Sequence, residues 1–141
     1  MNSKKKVSLV FGIILIFLSL VLLFSGVNLL WWDSIAEQDA SGYYLTDSKN
    51  NLTKWKFPDG TSITGKGYLI IWADGDTTQS GLHTNYKLSS LGEKVILLTP
   101  ALETIDKVEY NAQSSELAYA RVPNGTGDFT WQTATFNYKN D

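Results

Sequence analysis

From Val7 to Phe24 the chain carries no charge, and only Ser8, Gly12 and Ser19 interrupt a run of aliphatic and aromatic side chains that continues in character through Leu29, Leu30, Trp31 and Trp32. At about 1.5 Å of helical rise per residue, some 20 such residues cross a hydrocarbon core roughly 30 Å thick. The run is long enough to span a bilayer. Lys4, Lys5 and Lys6 precede it and Asp33, Glu37 and Asp39 follow, so the positive-inside bias predicts a cytoplasmic N-terminus (1–6), a transmembrane anchor (7–32), a linker (33–39) and an extracytoplasmic domain (40–141). A cleaved signal peptide is the alternative, and it too begins basic and then turns apolar. Its usual small-x-small site fits poorly, because Leu23 or Phe24 would stand at the −3 position for cleavage after Ser25 or Gly26. Cleavage would make the same domain a secreted one.

The 141 residues leave room for one domain beyond this segment. Outside the three N-terminal lysines, nine basic and fourteen acidic residues give a net charge of −5, and Arg121 is the single arginine. Such a balance disfavours nucleic acid as a partner without closing off a local patch. The absence of cysteine removes disulfides, thiolate nucleophiles, zinc-thiolate sites and an acylated lipoprotein cysteine together.

After Ala40, short runs of β-type residues recur every 8 to 15 positions between Gly, Pro, Asn and Asp clusters, and no helical period of useful length appears. Trp55 and Phe57 alternate with Lys54 and Lys56, Tyr86 and Leu88 with Asn85 and Lys87, and Phe129 and Trp131 with Asp128 and Thr130. Each run predicts one face turned inward and one outward. Tyr68 to Ala73 and Val95 to Leu98 are continuously apolar, the pattern of central strands covered on both faces. Pro58-Asp59-Gly60, Asp74-Gly75-Asp76, Leu91-Gly92-Glu93 and Pro123-Asn124-Gly125 supply the turns. About eight short strands so punctuated predict an all-β sandwich.

Individual side chains weigh little as catalytic candidates. His83 is the only histidine, and no G-x-S-x-G or comparable nucleophile motif accompanies it. Asp74-Gly75-Asp76 opens like a calcium loop, but Asn85 stands where an EF-hand requires its twelfth-position glutamate. Asn51-Leu52-Thr53 and Asn124-Gly125-Thr126 match a short and common glycosylation pattern. Arg121 alternates with Leu117 and Tyr119, which lays its stem on a sheet and sends its head to a partner at the rim. Most aromatics fall on the inward phase of the alternation and read as core. No catalytic, cofactor-binding or metal-ligating residue is therefore assigned, and no cofactor is expected.

Ser41-Gly42-Tyr43-Tyr44-Leu45-Thr46-Asp47, Lys54-Trp55-Lys56-Phe57-Pro58 and Gly67-Tyr68-Leu69-Ile70-Ile71-Trp72-Ala73 resemble successive blocks of the lamin tail domain. Leu82 to Leu88, Gly92 to Val95, Ile105 to Val108 and Tyr119 to Gly127 continue the resemblance in order, so that it covers about residues 40 to 134. It implies an immunoglobulin-like β-sandwich and a non-catalytic binding or display role. A second implied role is that of an accessory or targeting fragment of an exported hydrolase system, nuclease-like or kinase-like. The family's opening strands are not recognisable here; Trp32 to Glu37 and the apolar segment stand in their place. The expected consequence is an open sheet edge, available to a protein partner or to self-association. Val27 to Trp32 could close it in cis, another chain could close it in trans, or the domain could lack those strands.

Overall fold

The computed structural model describes residues 8–11, 37–64, 68–112, 117–124, 127–135 and 140. They form an all-β structure of eleven strands, and no helix occurs among them. Its longest strands build one four-stranded antiparallel sheet. The hairpin of β8 (Gly92–Leu98) and β9 (Thr104–Asn111) lies beside β3 (Tyr44–Thr46), which pairs on its far side with β4 (Trp55–Lys56). The apolar run Val95–Leu98 is buried throughout, as expected of a strand covered on both faces. In β9 the alternation is clean: Val108 and Tyr110 are buried while Lys107, Glu109 and Asn111 are exposed.

The second layer is assembled from shorter pieces. At its centre is β6 (Leu69–Trp72), which pairs parallel with β7 (Leu82–His83) and antiparallel with β1 (Ser8–Phe11). The hairpin of β10 (Leu117–Val122) and β11 (Asp128–Thr133) contributes a two-stranded sheet, and β10 comes near β1. A further small pair joins β2 (Gln38–Asp39) to β5 (Ser62–Ile63). The core draws on both layers. Leu45, Trp55, Phe57, Val95, Leu97, Val108 and Tyr110 meet Ile71, Ala73, Tyr86 and Leu88, and Tyr119, Phe129 and Trp131 pack against this cluster. The arrangement is consistent with an immunoglobulin-like sandwich.

Three predicted turns close where glycine is needed. Gly60 follows Pro58-Asp59 with φ +81°, and the Thr61 N–H donates to the Pro58 carbonyl at 3.2 Å. Gly75 has φ +68°. Gly92 has φ +117°, and a Cβ placed on it would stand 2.9 Å from the Tyr110 carbonyl oxygen, so close backbone packing as well as conformation selects glycine. In the fourth, Gly125 lies outside the described residues, while the Gly127 N–H donates to the Pro123 carbonyl at 2.8 Å.

Two expectations are modified. Tyr86 and Leu88 are buried and Asn85 and Lys87 exposed, as their alternation predicts, yet the stretch forms only an isolated bridge from Lys87 to Asp74. At the N-terminus, Ser8–Phe11 lies within the segment expected to span a membrane, and here it is a strand on β6 with Leu9 opposite Ile71 and Phe11 opposite Leu69. The rest of the expected anchor, the basic residues 1–6 and the alternative strand Val27–Trp32 lie outside the described residues. Among the described residues no helix is long and apolar enough to cross a membrane.

Candidate functional site

A polar arrangement forms where the chain leaves β6 and returns as β7. Asp74 accepts the Asp76 N–H at 3.1 Å on Oδ1, and Asp76 in turn accepts the Thr78 hydroxyl at 2.6 Å and the Gln79 amide at 2.8 Å. The Asp74 carboxylate thus bonds to backbone, as does Asp76 Oδ1, which also accepts the Thr78 N–H at 3.2 Å, and such bonds are the usual means by which aspartate folds a turn. Beyond the loop β7 runs parallel to β6, with His83 in register with Trp72 and their rings stacked at 6.3 Å.

His83 Nδ1 lies 3.1 Å from both carboxylate oxygens of Asp74, and Nε2 lies 3.2 Å from the Ser80 carbonyl oxygen. Its side chain is only 6 % exposed. Both partners are acceptors, so the ring acts here as a donor that fastens the loop 74–83. A general base must instead present a lone pair to the proton it removes. Burial pushes the Asp74 carboxyl up, but the hydrogen bonds from His83 and the Asp76 N–H, with the imidazole charge, outweigh it and hold Asp74 below the usual carboxylate range. The oxygens that would have to face a calcium ion are thus engaged within the loop. Among the described residues no group of three or more His, Asp or Glu is placed to hold a metal.

A second polar group forms around Lys54, where the stretch before β4 faces Tyr86. Lys54 Nζ reaches both carboxylate oxygens of Asp47 at 2.6 Å and sits 4.4 Å from the centre of the Tyr86 ring. Burial raises the Tyr86 phenol well above its ordinary value, and the Asp47 and Glu93 carboxylates add to the effect. For Tyr110 the same causes push the pKa up to about 12. Its hydroxyl donates to the Ser89 carbonyl at 2.8 Å.

Arg121 fulfils its expected geometry with partners inside the chain. Its stem lies on β10, its guanidinium donates to Asp106 at 2.6 Å and to the Gly127 carbonyl at 2.9 Å, and its charge stands 4.3 Å from the centre of the Phe129 ring. This ties the β10–β11 hairpin to β9. Tyr119 stacks with Phe129 and packs against Trp131, and all three are half-buried against the core. Asn51 is exposed, and its carbonyl accepts the Thr46 hydroxyl at 2.8 Å. The Asn124 N–H donates to the Asn140 carbonyl at 3.0 Å. Sequence reading named His83, Asp74 and Arg121 separately. It missed the Asp74–His83, Asp47–Lys54 and Asp106–Arg121 pairings, for which alternation carries no signal.

The family model of the Lamin Tail Domain matches residues 33–112, more than half of the chain. The chain belongs to the lamin tail domain family. No curated protein and no solved structure matches it. The match begins seven residues before the resemblance read from the sequence blocks, ends ahead of β10, and leaves β1, β10 and β11 outside the matched region. The lamin tail domain is an immunoglobulin-like, non-catalytic domain, and the engagement of His83, Asp74 and Arg121 in internal contacts agrees with that character.

Proposed function

We propose that the chain is a non-catalytic binding or display module, held at a membrane by its N-terminal apolar segment with the lamin tail domain on the extracytoplasmic side. The observation that carries this reading is the order of features: three lysines, an uncharged run from Val7 to Phe24, then a lamin tail domain from residue 33. Lysine placement sets the orientation. Support for a non-catalytic role comes from the chain's single histidine, both of whose ring nitrogens face acceptors within its own loop.

Alkaline extraction of membranes from cells producing the full chain tests the tether. The protein is expected to stay in the pellet, with the domain digested by protease added from outside. A soluble product beginning near Glu37 would replace the tethered module with a secreted one. Hydrolysis of nucleic acid or phosphoesters by the purified protein, abolished by His83→Ala, would overturn the non-catalytic assignment.

A further inference from the structure

The four-stranded sheet ends on its longest strand. On one side β9 is bonded to β8, and among the described residues no strand pairs with the other. An unpaired edge of this length is a template for a further strand. Its phase is fixed by the hairpin. The Thr99 N–H donates to the Glu103 carbonyl at 2.9 Å, so the odd-numbered residues of β8 face β9, and Asp106, Val108 and Tyr110, opposite Leu97, Val95 and Glu93, face back. The main-chain groups of Lys107, Glu109 and Asn111 therefore point to the free side. The Lys107 N–H agrees with this phase, since it donates to the neighbouring Asp106 carboxylate at 2.8 Å. The side chains of the same three residues are exposed.

Two copies of β9 laid antiparallel can bond only where outward-facing residues stand opposite each other. Setting Lys107 opposite Lys107, or Glu109 opposite Glu109, places like charges directly across and is unfavourable. Turning the second copy about Val108 instead sets each Lys107 opposite a Glu109. An edge lysine ordinarily blocks pairing. Here the carboxylate two positions on converts the block into a choice of register. Glu109 already has Lys94 of β8 at 3.6 Å on its other side, whereas Lys107 stands opposite Ile96 and has no ion pair among the described residues. A second copy would supply its carboxylate.

We propose that the outer edge of β9 is a homodimer interface, in which two chains pair antiparallel about a twofold axis at Val108 and join their four-stranded sheets edge to edge. The same patch serves both chains, so the contact closes on itself. Pairing exchanges the Asp106 carboxylate on the Lys107 N–H for the Glu109 carbonyl of the second copy, while Asp106 keeps Arg121. The interface needs no membrane, so its test stands apart from that of the tether.

The chain has no cysteine, and introduced thiols therefore report the register without background. Full-length Lys107→Cys and Glu109→Cys variants are purified in detergent, mixed and oxidised, and the linked pair is read on a non-reducing gel. Both positions are exposed, so the variants keep the fold. In the mixture the two thiols face each other at a Cα separation of about 5.5 Å, within disulfide reach, and an intact Glu109 faces an intact Lys107. In either variant alone the thiols lie diagonally, about 7 to 8 Å apart and beyond that reach. The mixture is expected to cross-link about fivefold or more faster than either variant alone. Adding Glu109→Lys to the Lys107→Cys chain places a positive charge opposite Lys107 and should slow the mixed reaction about threefold or more. No product in the mixture, or a rate indifferent to the charge reversal, would overturn the proposal. Equal product from one variant alone would overturn it too, by marking association through the apolar run Val7 to Phe24 that every variant retains.

Discussion

Gly92→Ala tests whether the start of the β8–β9 hairpin is held by a backbone contact as well as by a turn preference. At φ +117° an alanine is strained by about 1 to 3 kcal/mol, and the loss of unfolded-chain freedom offsets about 0.4 to 1 kcal/mol of that. The added methyl would also lie 2.9 Å from the Tyr110 carbonyl oxygen and 3.2 Å from the Asn111 Cα, both backbone atoms of β9. Relieving that contact shifts the ladder where Gly92 opposes Asn111. Gly60→Ala is the control, because Gly60 also has a positive φ, +81°, but nothing lies within 4 Å of its Cβ position. The same strain and offset give Gly60→Ala a cost of about 0 to 2.6 kcal/mol, and we expect Gly92→Ala to cost about 1 to 3 kcal/mol more, the overpacking of the contact. Urea denaturation of the full chain in detergent, followed by tryptophan fluorescence, reads both as shifts in midpoint at constant slope. Equal costs for the two variants, within about 0.5 kcal/mol, would refute the backbone-contact account.

Two pH predictions follow from the polar groups. The Asp74 pKa is lowered in the folded chain, so its contribution is present above its ordinary value of 3.8 and is lost as pH falls through the lower folded value; Asp74→Asn should flatten that part of an acid-unfolding curve. Tyr110 is raised from 10.0 to about 12, so its contribution is complete below pH 10 and is lost as pH rises towards 12. Tyr110→Phe should reduce the alkaline loss of stability, and an absorbance titration should show one late-ionising phenol fewer.

The parts of the fold that depend on local periodicity were legible in the sequence. Trp55, Phe57, Val108 and Tyr110 sit inward because strand side chains alternate, and Gly60, Gly75 and Gly92 mark turns that only a small residue closes readily. The sites that depend on long-range register were not legible. Asp74 and His83 meet because β7 returns parallel to β6, and Arg121 meets Asp106 because β10 comes to lie near β9; neither approach leaves a trace in spacing. Ser8 to Phe11 shows the sharpest degeneracy. A largely apolar stretch has the same composition whether it enters lipid or pairs at the end of a sheet, and periodicity cannot separate the two. Tyr86 and Leu88 mark a further limit, since burial alternates there without a ladder to accompany it.

The pairing of β1 with β6 also sets an order of events during synthesis. Phe11 emerges long before its partner Leu69; with ~60 residues between them and elongation at about 5–20 residues per second, the acceptor edge follows its strand by roughly 3 to 12 s. A hydrophobic segment that reaches a translocating machinery in that interval meets lipid before β6 exists. On the proposed tether its fate would be decided by timing as much as by equilibrium, and slowing export relative to elongation would favour the pairing of β1 with β6 over insertion.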